Sequence, residues 1–157
     1  MRKVRIICVG KNQDPYLKQG LALYEKKLNR YCHFEFISVK EASYRSGTKI
    51  KWLAEESERL LKHFSTDNYS IICDEKGKQF HSIEMANELI NKSNHGFSKF
   101  DFFIGGPYGL SSEFKKQANL LFSFSAMTMT HQMFRLVLIE QIYRSFTIIN
   151  REKYHHI

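Results

Sequence analysis

The sequence predicts an α/β domain built on a mainly parallel sheet with helices on both faces. Two observations carry this. Short β-branched or aromatic runs alternate with longer stretches of helical periodicity along the 157 residues. Most apolar runs also end in glycine, proline or a polar cluster, the punctuation of strand-to-helix turns.

The elements follow in order. Val4 to Val9 is a first strand, closed by Gly10. Asp14-Pro15 opens a helix, with the acid as cap and proline in the first helical position. Leu17, Leu21, Tyr24 and Leu28 place one apolar stripe on it. Phe34 to Val39 alternates as a second strand, and the polar Lys40 to Lys49 reads as a loop. Ile50 to Phe64 is helical, with Trp52, Leu53, Leu60 and Leu61 expected inside. Tyr69 to Cys73 is a third strand ended by an Asp74-to-Lys78 turn. Ser82 then caps a helix whose stripe begins at Ile83, Met85 and Ala86 and runs through Leu89 and Ile90. Phe100 to Ile104 is a fourth strand, stopped by Gly105-Gly106-Pro107, and Ser111 starts another helix. Leu120 to Met127 alternates large and small residues as a fifth strand, and Gln132 to Asn150 is the longest helix. No repeat, linker or low-complexity tract divides the chain, so residues 1–157 are read as one domain.

Composition narrows the function classes. No apolar stretch reaches the roughly 18 residues of a membrane helix. The Met1 to Gly10 segment has too short an apolar part, and no cleavage site, for a secretion signal. Three cysteines without a Cys-x-x-Cys spacing speak against a disulfide framework or structural zinc. A cytoplasmic protein without membrane or metal is expected; His155-His156 is not a helical ligand pair. The net charge of +8 favours a polyanionic partner. The lysines are spread along the chain, so charge alone does not decide the matter.

Chemistry concentrates between Phe100 and Arg135. In open α/β sheets, ligands sit beyond the C-terminal ends of the strands, which points to Asp74–Lys78 and Gly105–Gly109. Gly105-Gly106-Pro107-Tyr108-Gly109 is neither a Walker loop nor a dinucleotide fingerprint, so phosphate binding is not favoured. The uncharged run Phe124-Ser125-Ala126-Met127-Thr128-Met129-Thr130 leads to His131 and Arg135, four apart on one helix face. Arg135 lies about 180° around the helix from Arg144, on a side that includes Leu138, Ile142 and Phe146. A charge there must be paired, reach past the packing or serve a site. Glu140, Arg144, Thr147 and Arg151 form a polar stripe, and the rest of the helix is apolar nearly all round. Such a helix is buried centrally or shared with a second copy, and a homodimer through it is expected.

These motifs, together with Val9-Gly10-Lys11, Tyr24 to Leu28, Ile139 to Arg144 and Tyr154-His155, resemble the RlmH family over the whole length. Its members are ribosomal RNA large-subunit methyltransferases of the SPOUT superfamily. The resemblance implies a C-terminal trefoil knot, an exception to the rule against threaded chains. It also implies S-adenosyl-L-methionine as cofactor, a site completed by a second subunit, and methylation of N3 of a pseudouridine in helix 69 of 23S rRNA in the assembled ribosome. The implied cofactor contacts are Cys73, Gly105, Phe124, Ser125, Ala126, Met127, Thr128 and Met129. The implied catalytic group is His131, Arg135, Tyr154 and His155. Either histidine would take or relay the N3 proton. Arg135 would hold a phosphate or developing oxyanion, and Tyr154 would stack on the base or order the tail. Cys73 stands where the family usually has leucine, and Thr130 where it usually has proline. A non-catalytic module binding RNA or ribosomes, and a methyltransferase of this fold acting on transfer RNA, are the competing readings.

Overall fold

The computed structural model describes residues 1–155; His156 of the histidine pair lies outside them. Five parallel strands form one sheet in the order β2-β1-β4-β3-β5. They are β1 (Lys3–Val9), β2 (His33–Val39), β3 (Tyr69–Lys78), β4 (Lys99–Ile104) and β5 (Leu120–Phe122). The helices are α1 (Pro15–Leu28), α2 (Lys49–Leu61), α3 (Ser82–Asn94), α4 (Ser112–Lys115) and α5 (His131–Ile149). The central strands β1 and β4 are buried on both faces, which is why they read as continuous apolar runs.

Alternate strand residues feed two cores. Ile6, Ile71, Phe100 and Phe102 pack with residues of α1, α3 and α5, whereas Ile7, Ile72 and Phe103 pack with Leu60 of α2 and Phe114 of α4. Helices therefore cover both faces. The α1 stripe is in place, with Leu17, Leu21 and Leu28 buried. Gly20 permits the close crossing of α1 and α5, since a Cβ there would lie 2.7 Å from Leu136 Cδ1.

Some expectations are corrected. Helix α2 ends at Leu61, which is exposed, because α2 buries the Glu56–Ser57–Leu60 side. Ser82 is the first residue of α3; His81 is the cap, and its N–H donates to Glu84. Ile83 faces solvent. Asp74–Lys78 is not a turn after β3 but part of it, paired where Lys78 meets Phe122. Conversely β5 stops at Phe122, because the Ser123 hydroxyl donates to Ser125 O and the Met127 N–H to Ser125 Oγ, bending the chain away. Thr147, assigned to a polar stripe, is fully buried and bonds back to Arg144 O.

Candidate active site

The C-terminal ends of β3, β4 and β5 open into a cavity of about 680 Å³, within the range of small-molecule sites. One wall is the Gly105–Gly109 loop. A turn closes it, with Gly109 N–H donating to Gly106 O at 3.0 Å. Glycine at 105 is required by a close approach: a Cβ there would sit 2.5 Å from Gly109 O. Gly109 takes φ +83°, which favours glycine. The opposite wall is the uncharged stretch after β5, including Phe124, Ser125, Met127, Thr128 and Met129. Cys73 forms part of the floor between them.

Of the residues expected to hold a cofactor, Cys73, Gly105, Phe124, Ser125, Met127, Thr128 and Met129 line this cavity, and Ala126 does not. Burial, helped by the Asp74 charge, pushes the Cys73 thiol well up, so it stays a neutral thiol. Tyr108 of the glycine loop also lines it, as do Lys49 and Lys115, which lie outside the segments that the sequence points to. Lys115 pairs with Asp74. Burial acts to raise the Asp74 carboxyl, but the bonds from Lys115 and the Lys76 amide outweigh it and hold it below the usual carboxylate range. Asp74 lies within β3 and Lys115 at the end of α4, so no local pattern in the sequence marks the pair.

The expected catalytic residues separate. His131 begins α5 and lines the cavity. Burial and then the nearby Arg135 charge lower its pKa, against a weaker opposing effect of Glu41, so its imidazole is neutral at pH 7. Arg135 does not line the cavity. It is fully buried, donating to Asn12 Oδ1 at 2.6 Å and to Val9 O at the end of β1. Burial lowers its pKa, with the nearby Cys8 and Glu41 opposing.

Tyr154 and His155 do not reach the cavity of their own chain either. The Tyr154 hydroxyl donates to Glu140 Oε1 at 3.1 Å, and its ring packs edge-on against Tyr143. His155 Nδ1 lies 3.4 Å from Arg144 Nη1, and Arg144 is paired with Glu140 at 2.6 Å. Glu140 is nine residues along α5 from His131, or about 14 Å at the rise of an α-helix.

The donor set of the cavity suits a flat, zwitterionic cofactor such as S-adenosyl-L-methionine. Uncharged backbone lines two walls, Asp74 and Glu75 offer carboxylates to a cationic centre, and Lys49 and Lys76 offer charge to an anionic one. Among the described residues no three His, Cys, Asp or Glu side chains converge on one point, and no helix is long and apolar enough to cross a membrane.

Comparisons with known proteins agree with this geometry. Residues 2–155 match the family model described as "Predicted SPOUT methyltransferase". The chain is 40% identical to ribosomal RNA large subunit methyltransferase H of Natranaerobius thermophilus, over 98% of this chain and 99% of that one. The Streptococcus pyogenes protein of the same name gives the same identity and coverage. Among solved structures, a probable methylase family protein from Haemophilus influenzae superposes with a TM-score of 0.56 at 13% identity, covering 98% of this chain and 70% of that one. The tRNA (m1G37) methyltransferase of Aquifex aeolicus gives 0.54 at 12%, covering 91% and 70%. At such identities these two speak for the fold alone. Five parallel strands, a glycine-walled cavity at their ends and a family match over nearly the whole length make this chain a methyltransferase belonging to the SPOUT family, in the group of ribosomal RNA large subunit methyltransferase H.

Proposed function

We propose that the chain transfers a methyl group from S-adenosyl-L-methionine to N3 of a pseudouridine in helix 69 of 23S rRNA, acting on the assembled ribosome in the cytoplasm as a homodimer. The observation that carries the reading is that both motifs on which the family resemblance rests, Gly105–Gly109 and Phe124–Met129, wall the same cavity. The chain behind them is threaded, in this reading, as the family's trefoil knot.

The cofactor, when bound, supplies an electrophilic methyl on a sulfonium. The residues of the chain do the rest. The Gly105 loop and the Phe124–Met129 run hold the flat end of the ligand and exclude water. Asp74 and Glu75 stabilise positive charge at the other end. His131, neutral at pH 7, takes or relays the proton that leaves N3. With a methyl donor held in the cavity, these residues would leave N3 deprotonated and aligned to receive the methyl group. Arg135 braces the start of α5 against the end of β1 and so holds His131 in place. Tyr154 and His155 pack beside Glu140 and Arg144, and Glu140 is about 14 Å down α5 from His131, so in this reading they serve the cavity of the partner copy.

Tritiated methyl transfer to ribosomes from cells lacking this protein, with mapping of the label, tests the substrate. Label at one pseudouridine of the large-subunit RNA is expected. Label on transfer RNA, or none, overturns it. Sedimentation equilibrium at micromolar protein tests the assembly, and monomer alone would remove the role given to the tail.

A further inference from the structure

Three aromatic rings at the rim of the cavity belong to neither hydrophobic core: Tyr44, Trp52 and Tyr108. The Tyr108 centroid lies 5.1 Å from that of Tyr44 and 5.1 Å from that of Trp52, and the other two are 5.4 Å apart. They meet at 43° to 76° rather than as a flat stack, and Tyr108 stays 43% exposed.

Each ring is nonetheless held. The Tyr44 hydroxyl donates to Glu56, which is buried and also accepts from the Ala42 amide at 3.0 Å. Trp52 Nε1 donates to Ser46 O at 2.7 Å, and Tyr108 is carried by the Gly106–Gly109 turn. Around them Arg45, Lys49 and Lys51 are exposed. None of these three is in a salt bridge among the described residues. Lys49 and Tyr108 also line the cavity, so this patch is continuous with the site of chemistry.

A fixed cluster of one exposed and two half-buried rings, flanked by unpaired cations, has the make-up of a surface that takes an unpaired nucleobase and its phosphates. A base inside a duplex has no free face, so the occupant must be splayed out of a loop. We infer that Tyr108 and Trp52 form a stacking platform for an unpaired base next to the methylated one, with Arg45, Lys49 and Lys51 meeting the flanking phosphates. The platform fixes the register of the RNA and so selects which base enters the cavity. This rests on the reading that the substrate is RNA.

Trp52 is the single tryptophan of the chain, so its emission reports this patch alone. The whole protein is titrated to millimolar with a single-stranded hexaribonucleotide, and with an abasic oligomer of equal length and charge. Quenching by the first and not the second is expected, lost in Tyr108→Leu and retained in Tyr108→Phe. Equal effects of the two oligomers mean a charged surface without stacking, and that result, or no quenching at all, overturns the proposal. In ribosome methylation, Tyr108→Leu should raise KM for ribosomes about 5- to 150-fold, the range of one stacked base. Arg45→Gln, at a residue outside the cavity lining, should raise the same KM while its cofactor Kd and melting temperature stay unchanged. A Tyr108→Leu protein with normal KM sinks the platform. Failure of the wild-type protein to methylate ribosomes would sink the substrate reading, while the quenching arm still decides the platform.

Discussion

Replacing Arg135 with methionine keeps most of the side-chain volume and removes two hydrogen bonds from a fully buried guanidinium, to Asn12 Oδ1 and to Val9 O. Bonds of this charged kind are worth about 1.5–3 kcal/mol each, which gives about 3–6 kcal/mol for the pair. Part of that is returned, because burial already disfavours the charge and the Arg135 Nε has no partner among the described residues. Asn12 Nδ2 is also unpartnered, so the variant leaves Asn12 without any bond through its side chain in this site. A net loss of about 2–4 kcal/mol is expected, read as a lower urea midpoint at unchanged slope. For a chain of this size that corresponds to a melting temperature lower by roughly 4–16 °C. Turnover should be measured well below the new midpoint, where a brace that acts through His131 lowers kcat and leaves cofactor Kd in place. A variant that keeps its full stability while losing methyl transfer a hundredfold or more would refute the brace, and would return Arg135 to direct work on phosphate or oxyanion.

Three further outcomes follow from the same geometry. The pKa of His131 is lowered from 6.5 by burial and by Arg135. Below pH 6.5 the unfolded chain therefore binds a proton that the folded chain resists, and stability is lost as pH falls from 6.5 toward the lower folded pKa. His131→Gln should flatten that acid-side slope in urea titrations run from pH 7 to 5, and an unchanged slope would count against the burial. Gly105→Ala puts a methyl 2.5 Å from Gly109 O, which is backbone and cannot swing aside. The loop must move at about 1–3 kcal/mol, and calorimetry should show cofactor affinity at least about tenfold weaker; an unaltered Kd would mean the loop is not a wall of the cofactor site. Asp101 is fully buried, accepting from Arg5 Nε at 2.7 Å, Arg5 Nη2 at 2.6 Å and Asn68 Nδ2 at 2.7 Å. Asp101→Ala strands the Arg5 charge and should cost about 3–5 kcal/mol in urea melts, while activity per folded molecule is kept.

What could be read from the sequence depended on how local its cause was. The four longer strands and the α1 stripe rest on runs of neighbouring residues, and β1, β2, β4 and α1 appear within a few residues of expectation. Strand β5 was read too long because its large–small alternation continues past Phe122, while the serine bonds that bend the chain leave no mark on hydrophobic pattern. Strand β3 was read too short because its polar end owes its place to Phe122, more than forty residues on: a Cβ on Gly77 would lie 2.5 Å from Phe122 C. Arg135 stood out as a charge on an apolar side, but its partners on Val9 and Asn12 are 126 and 123 residues away. The cavity residues were legible because strand ends and glycine turns are local signals. The ring cluster was not, since Tyr44, Trp52 and Tyr108 come from three separate segments.

The separation of His131 from Tyr154 and His155 bears on why so short a chain would act in pairs. Helix α5 carries His131 at its first turn, and the tail residues pack beside Glu140 and Arg144 in its later part. A rigid helix cannot fold to bring its first turn onto Glu140 and Arg144, which lie at and beyond its middle. Its first turn and the tail can meet only between two copies, set so that the start of one helix faces the far part of the other. A two-fold axis does this for both copies at once, because the same patch then serves on each side. In the proposed dimer each cavity thus gains Tyr154 and His155 from its partner and gives its own tail in return. The net charge of +8 per chain is then doubled over one surface, which favours a large, folded polyanion over a short strand. That is the kind of substrate the proposed activity requires.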